Sequence, residues 1–252
     1  MSSNAANGDR VVKTNTYLDH SNKPDVDANL IRSHLTCGKF RDSVWGLVIY
    51  RCCHSSDEDW ARMLHRLRSE LEQDAAYFIC QDLLPIHDLH VIDDPSLYEA
   101  SIYQVRRHFQ AWVPENLKTR LRPGATDLDD DVDWVYATTT PRYEYCIYVD
   151  DVCLESLYQP GPNFPVVKLL CKTWESPFPP EEMGDYLVPA PFHDGVTTDW
   201  EEDVGWMYLP VVEYLYKYYL LLKTSWDEQY ARPPFIDGYE DESNFVGHWR
   251  RE

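Results

Sequence analysis

The stretch WGLVIYRCCHSSDEDW, residues 45–60, carries the signals from which the fold class can be predicted. Its first half is apolar on both faces of an extended chain, with Trp45, Leu47, Ile49 and Cys53 on one face and Val44, Val48, Tyr50 and Cys52 on the other. A strand that is apolar on both faces is typical of one covered on each side within a sheet. We therefore predict a buried strand from Val44 to about Cys52.

The second half of the stretch predicts an amphipathic helix that starts at Asp57. Its apolar side chains recur at helical spacing, at Trp60, Met63, Leu64, Leu67 and Leu71. Ser55 and Glu58 have the spacing of a capping box, in which each side chain satisfies a free backbone donor. The acids after Ser55 also favour the positive end of the helix dipole. The CCH sequence at 52–54 is then a strand-to-helix junction whose two thiols face opposite sides of the sheet.

Cys52 with His54 is nevertheless the pair that we keep as a candidate catalytic site. Side chains two residues apart in a strand lie on the same face, so the imidazole could serve as a base for the thiol. The chain has no GxSxG, P-loop, GxGxxG, CxxC or HExxH motif and only 10 glycines. We therefore predict no metal site and no cofactor.

The remaining patterns predict an α+β fold. They indicate a strand near 89–92, a helix over 102–113 that Pro114 closes or bends, a strand at 143–149, a short helix capped by Asp150, and a strand in residues 165–174. This order resembles a ferredoxin-like sandwich with an inserted helix. A C-terminal helical extension is predicted on VVEYLYKYYLLL, residues 211–222.

The domain organisation follows from changes in composition. Residues 1–30 are polar with little apolar periodicity and are predicted to be a mobile leader. Residues 31–232 are predicted to form a single α+β domain, with a Pro-rich acidic connection near 175–203. Residues 233–252 are interpreted as a C-terminal tail.

Composition argues against two classes of partner. The chain has 43 acidic residues against 23 Lys and Arg, a net charge of −20, which repels phosphate backbones and anionic lipid surfaces. The longest apolar run, residues 208–222, is interrupted by Pro210, Glu213 and Lys217 and is shorter than the roughly 20 residues that cross a bilayer. The 7 cysteines do not form a compact secreted framework. We expect a soluble cytoplasmic protein that binds neither nucleic acid nor membranes.

Six segments together resemble a known group of proteins. They are WGLVIYRCCHSSDEDWARML (45–64), QVRRHFQAWV (104–113), RYEYCIYVDDVCLESL (142–157), VVKLLCKTWES (166–176), EEDVGWMYLPV (201–211) and WDEQYARPP (226–234). In this order they resemble a family of uncharacterised cytosolic proteins of filamentous ascomycete fungi, over about residues 40–235. The resemblance implies a fungal origin and a shared architecture. That family has no assigned activity, so the resemblance implies no function.

The aromatic content, with 18 Tyr and 9 Trp, leads to two functional expectations. The first is a non-catalytic domain that binds a protein partner through an aromatic, acid-framed surface. Its candidate binding residues are Trp206, Tyr208, Tyr214 and Tyr218. The alternative is a small-molecule-binding protein or enzyme, accessory to a fungal metabolic pathway, with an aromatic pocket. Buried rings would remove the basis of the first expectation. The sequence gives no oligomeric state.

Overall fold

The predicted strand at residues 44–52 lies inside a five-stranded sheet, as the strand β1 (Val48–Arg51). The structure is a computed structural model and describes residues 26–36, 44–54, 56–120, 140–158, 165–175, 203–233 and 235–237. The other strands of the sheet are β2 (His90–Ile92), β3 (Tyr145–Val149), β4 (Val166–Cys171) and β5 (Trp206–Pro210).

The sheet is mixed, with strand order β2-β1-β3-β4-β5. β1 pairs in parallel with β2 on one side and with β3 on the other, so that Val48 lies opposite both His90 and Cys146. β4 is antiparallel to both β3 and β5. Because β1 has a hydrogen-bonded neighbour on each edge, its backbone groups are paired away from water.

Helices cover both faces of the sheet. The helix α2 (Asp57–Tyr77) packs on the face that carries Leu47, Ile49 and Cys53, through the stripe Trp60, Met63, Leu67 and Leu71. The helix α3 (Ile102–Arg120) packs on the opposite face, which carries Val48, Tyr50 and Cys52, through Val105, Phe109, Trp112 and Val113. Each fully buried side chain of this size contributes about 1.5–3 kcal/mol to folding. The apolar character of both faces of β1 thus has a direct cause in packing.

Five further helices of the described residues are shorter than α2 and α3, and two of them pack on the same face of the sheet as α2. They are α1 (Ala28–Thr36), α4 (Pro141–Glu144), α5 (Asp151–Glu155), α6 (Tyr214–Leu221) and α7 (Trp226–Gln229). α1 and α6 contribute Ile31, Leu35, Leu215 and Tyr218 to the same cluster of buried side chains as α2. Turns of 3₁₀ helix lie at Gln81–Ile86, Pro95–Leu97, Ser156–Tyr158 and Val211–Glu213.

Local caps set where two of these helices begin. α2 starts at Asp57, as predicted, but its cap is Ser56, whose hydroxyl accepts the N–H of Asp59 at 3.1 Å. The predicted cap, Ser55, lies outside the described residues. α5 begins after Asp150, whose carboxylate accepts the N–H of Cys153 at 3.1 Å, which confirms the predicted cap.

The α+β class is confirmed, whereas the ferredoxin-like sandwich is not. That arrangement has its helices on one face of an antiparallel sheet, but here β1 has two parallel neighbours and helices lie on both faces. The helix over 102–113 continues to Arg120, with Pro114 inside it. A proline removes one intrahelical hydrogen bond, and the buried side chains of Val113 and Leu117 keep both sides of that position packed.

The C-terminal part differs from the predicted helical extension in two ways. Strand β5 precedes α6 and adds to the sheet beside β4. Part of the predicted tail also packs on the domain, since Ile236 forms a parallel bridge with Tyr208 and the carboxylate of Asp237 lies 2.7 Å from the ammonium of Lys217. Residues 1–25, 176–202 and 238–252, which include most of the predicted leader, connection and tail, lie outside the described residues.

The end of α2 carries an isoleucine in a conformation that glycine normally occupies. Ile79 has φ of 54° and is 82% exposed. The next residue, Cys80, donates its N–H to the carbonyl of Ala75 at 2.8 Å, the bond that closes a helix when the residue before it is left-handed. A β-branched residue in this region costs about 1–2 kcal/mol. The isoleucine therefore strains the helix end without a compensating buried contact.

We expect Ile79→Gly to raise the free energy of unfolding by about 1 kcal/mol, because glycine adopts this conformation without the steric cost. Urea denaturation followed by circular dichroism measures the change. The control is Ala76→Gly, three residues earlier at an exposed helical position, where glycine should lower the free energy of unfolding by about 0.5–1 kcal/mol. If both variants changed the free energy of unfolding in the same direction, the left-handed conformation of Ile79 would not be the cause.

Candidate functional site

The carboxyl ends of β1 and β3 are the place where the strand order reverses, since the chain leaves β1 toward β2 on one side and leaves β3 toward β4 on the other. The connection from β1 to β2 contains α2 on one face, and the connection from β2 to β3 contains α3 on the other. In open α/β sheets, ligands bind outside the carboxyl ends of the strands at such a reversal of strand order. We call residues 51–54, 93–100 and 150–151, together with Lys168, the switch edge.

The loop after β2 crosses the switch edge and forms hydrogen bonds with the residues at the ends of β1 and β3. The N–H of Glu99 bonds the carbonyl of Cys52 at the end of β1, at 3.1 Å. The hydroxyl of Tyr148 on β3 donates to the carbonyl of Ala100 at 2.9 Å. The loop therefore brings its side chains to the ends of both parallel strands, beside the residues that follow β1 in sequence.

The two adjacent cysteines are buried at the base of the switch edge. Cys52 belongs to the core on the α3 face and Cys53 to the core on the α2 face, which confirms that they point to opposite sides. Burial raises the pKa of Cys53 to about 11, although the guanidinium of Arg51 lowers it, and burial raises that of Cys52 further. Both thiols are therefore protonated at neutral pH. A buried, protonated thiol is a poor nucleophile, so the structure does not support the catalytic role suggested for Cys52.

His54, the other half of that candidate pair, lies at the exposed rim. Its side chain is 55% exposed, and its Nε2 lies 4.0 Å from the Oε1 of Glu99. The ring of Tyr98 meets the imidazole edge to face, with 4.7 Å between centroids. Glu99 holds this position with φ of 58°. Left-handed backbone at a residue other than glycine is uncommon and is concentrated at functional sites.

Arg51 connects the switch edge to the start of α2. Its buried guanidinium lies 2.5 Å from the carboxylate of Asp57 and 3.2 Å from that of Asp93. It also lies over the rings of Trp60 and Tyr98, at 5.7 and 5.3 Å from their centroids. Its charge is thus compensated by two carboxylates and covered by two rings, so that it serves to hold the loops after β1 and β2.

Asp150 and Lys168 form a second compensated pair, on the α3 side. The ammonium of Lys168 lies 2.5 Å from the Asp150 carboxylate, and both side chains are largely buried. Three rings surround the ammonium at 4.8–5.6 Å from their centroids, those of Tyr148, Trp206 and Tyr208. Burial disfavours the ionised form of Asp150, but the Lys168 ammonium and the N–H of Cys153 outweigh it, so the pKa of Asp150 lies below its ordinary value.

The electrostatic balance of the switch edge is negative. It contains five carboxylates, from Asp93, Asp94, Glu99, Asp150 and Asp151, against the basic side chains of Arg51 and Lys168. Both basic groups are engaged by the carboxylates described above. An edge with this charge attracts cations and neutral hydrogen-bond donors and disfavours phosphates.

The aromatic surface predicted from the sequence is not exposed. Its four candidate binding residues are at most 5% exposed, namely Trp206, Tyr208, Tyr214 and Tyr218. The first two lie on the α3 face of β5, and the other two lie on α6 in the core shared with α2. The rings are buried because β5 and α6 place them between the sheet and its helices. The protein-binding hypothesis loses the surface on which it depended.

Three residues of the switch edge were not predicted from the sequence, for two different reasons. Lys168 left a signal, as a single charged side chain in the apolar stretch PVVKLLC, residues 165–171. Glu99 and Tyr98 left none, because their position depends on a loop that crosses the end of a strand about 47 residues earlier in the chain.

The described residues also bear on metal binding and on membrane insertion. Within the described ranges, no three His, Cys, Asp or Glu side chains are grouped in a way that could hold a metal ion. Among the same residues, no helix combines the length and the apolar character needed to cross a membrane.

Comparison with known proteins adds no relative, since no family model, curated protein or solved structure matches the chain.

Proposed function

We propose that the protein binds a small polar molecule, cationic or neutral, at the switch edge, with His54 and Glu99 as its polar contacts. The observation that carries this proposal is the loop after β2, which bonds the end of β1 through Glu99 and reaches β3 through Ala100. It gathers an imidazole, a phenol and a carboxylate at the end of the sheet where open α/β sheets bind their ligands.

The charge of the edge supports the choice of ligand. An amine or a polyol can donate hydrogen bonds to Glu99 and to the neighbouring carboxylates, and the ring of Tyr98 offers a face or edge for its carbon atoms. A phosphate would meet five carboxylates and two basic groups that are already paired. This is the small-molecule alternative of the two functional expectations. We also propose a cytoplasmic location, which is supported by six buried free cysteines among the described residues.

The test is a titration of the ¹⁵N-labelled protein followed by amide chemical shifts, with one probe for each ligand class. The probes are agmatine for organic cations, glucose for polyols, citrate for carboxylates and AMP for phosphates. We expect saturable shifts with agmatine or glucose at residues 52–54, 97–100 and 150–153. Citrate and AMP should produce none at these positions.

Two variants separate a site from general attraction to an acidic protein. Glu99→Gln should weaken the binding of the active probe by about tenfold, because it removes a charged hydrogen-bond acceptor. Glu72→Gln changes the net charge equally at an exposed position on α2 and should leave binding unchanged. Equal weakening by both variants, saturable binding of AMP at this edge, or shifts confined to another region would contradict the proposal.

A further inference from the structure

At the amino-terminal end of β1, His87 contacts the hydroxyl of Tyr214 on α6, and this hydroxyl also accepts a hydrogen bond from the backbone just before the strand. The Nε2 of His87 lies 2.9 Å from the hydroxyl oxygen of Tyr214, the first residue of α6. The same oxygen accepts the N–H of Leu47 at 3.0 Å. A neutral imidazole fits this arrangement, because its Nε2 can accept the proton of the tyrosine hydroxyl while the oxygen accepts from Leu47.

A protonated imidazole is accommodated less well. Both ring nitrogens then donate, so Nε2 takes the second lone pair of the oxygen that accepts from Leu47, and the tyrosine proton loses the acceptor that Nε2 provided. The geometry leaves little room for adjustment. The ring of Trp45 packs against the imidazole at 4.7 Å between centroids, and a Cβ built on Gly46 would lie 2.7 Å from Nε2.

The charges around His87 also oppose a second positive charge. The Arg142 guanidinium from α4 is 1% exposed and donates to the carbonyls of Gly46 and Asp88 at 2.9 Å, and to the Asp88 carboxylate at 2.7 Å. The charge of the exposed Arg68 on α2 also acts on His87, and from α6 the facing titratable group is the phenol of Tyr214. Burial, followed by Arg142, lowers the pKa of His87 to about 4, although Asp88 raises it and Arg68 adds to the lowering.

We propose that His87 is an acid-sensitive latch, whose protonation releases α6 from the amino-terminal end of β1. The released state exposes the imidazole to water, where it regains its ordinary basicity. Because a histidine that is harder to protonate in the closed state favours opening in acid, the contact is complete above about pH 6.5 and weakens as the pH falls toward 4. The latch is separate from the switch edge, which lies at the carboxyl end of the same strand.

Hydrogen exchange read by mass spectrometry at pH 7.5 and 5.0, corrected for intrinsic rates, tests the latch. With a pKa of about 4 in the closed state and about 6.5 in the open state, opening should be roughly 30-fold more favourable at pH 5.0. We expect this increase in peptides that cover α6, with a smaller change in β1 and β3. Equal loss of protection in α6 and in the strands would indicate global destabilisation and overturn the proposal.

Three variants assign the effect to the proposed contact. His87→Gln retains a side chain that can bond Tyr214 but does not titrate, so the dependence on pH in α6 should disappear. Tyr214→Phe should raise exchange in α6 at both pH values, because it removes the shared hydroxyl. His65→Gln removes an exposed histidine from α2 and should behave as the unmodified protein does. Retention of the full pH dependence in His87→Gln would overturn the latch.

Discussion

Arg142→Met is expected to lower the free energy of unfolding by about 3–5 kcal/mol. The guanidinium it removes is buried and bonds two backbone carbonyls, those of Gly46 and Asp88, as well as the Asp88 carboxylate. The Asp88 side chain that loses its counter-ion is 28% exposed, so most of the loss comes from the two carbonyls, each of which costs about 1–3 kcal/mol when buried without a donor. One of them, the carbonyl of Gly46, lies next to the start of β1. Urea denaturation with a two-state fit measures the loss.

An exposed pair of the same residue types supplies the control. Arg32 bonds the Asp82 carboxylate through two nitrogens, at 2.7 and 2.8 Å, but both side chains are in contact with solvent. Exposed pairs contribute little to stability, so Arg32→Met should leave the urea midpoint almost unchanged. Similar midpoints for the two variants would show that Arg142 is not needed for the stability of this end of the sheet.

Arg142→Met has a second expected effect, on how strongly hydrogen exchange in α6 depends on pH. Arg142 is one of the groups that lower the pKa of His87. Without its charge, the pKa of His87 should move back toward the ordinary value, so that the closed and open states differ less in their affinity for a proton. Acid should then release α6 less strongly, even though the variant is less stable at neutral pH.

The junction between β1 and α2 could be predicted from the sequence because its signals are local. A short segment that is apolar on both faces marks β1, helical spacing marks α2, and the opposite directions of Cys52 and Cys53 follow from strand geometry alone. The cap differs by one residue from the prediction, at Ser56. Neighbouring serines before the same acids satisfy the cap pattern almost equally well, so the pattern does not distinguish them.

The order of the strands could not be predicted, because it depends on pairings between distant segments. β1 pairs with β2 and with β3, whose partner Cys146 lies almost 100 residues from Val48. The residues of β3 would show the same alternation whether they paired in parallel or antiparallel. β5 was not predicted as a strand, because WMYLP at 206–210 continues directly into the apolar Val211 and Val212, before the first charged residue at Glu213.

In the candidate site too, features set by local sequence could be predicted, whereas those set by contacts between distant segments could not. Asp150 was predicted as a cap from its position before an apolar turn, and it is the cap of α5. The proximity of His54 and Glu99 is a property of the sheet topology, which brings the loop after β2 across the end of β1. The number of aromatic residues gave no information on exposure, because tyrosine and tryptophan are used in cores and at interfaces alike.

Lys168→Met is expected to lower the free energy of unfolding by about 3–5 kcal/mol. It removes the ammonium 2.5 Å from the Asp150 carboxylate and leaves that buried carboxylate without its counter-ion. Asp150→Asn should also lower the free energy of unfolding, because it leaves the Lys168 ammonium among three aromatic rings without a negative charge. The asparagine can still cap α5, so the loss is not due to the cap. Thermal and urea denaturation of the two variants at pH 7 measure both losses.

The double variant Lys168→Met with Asp150→Asn separates the cost of a broken pair from the value of the pair itself. The methionine can pack against the rings that surround the ammonium, and the asparagine retains the cap, so no buried charge remains. We expect the double variant to be more stable than either single variant, a coupling that additive losses would contradict. The ion pair holds the pKa of Asp150 below its ordinary value, so its contribution is complete above about pH 4 and is lost as the pH falls further. The double variant should lack this part of the acid dependence, whereas a structural role for the methylene groups of Lys168 alone would leave that dependence unchanged.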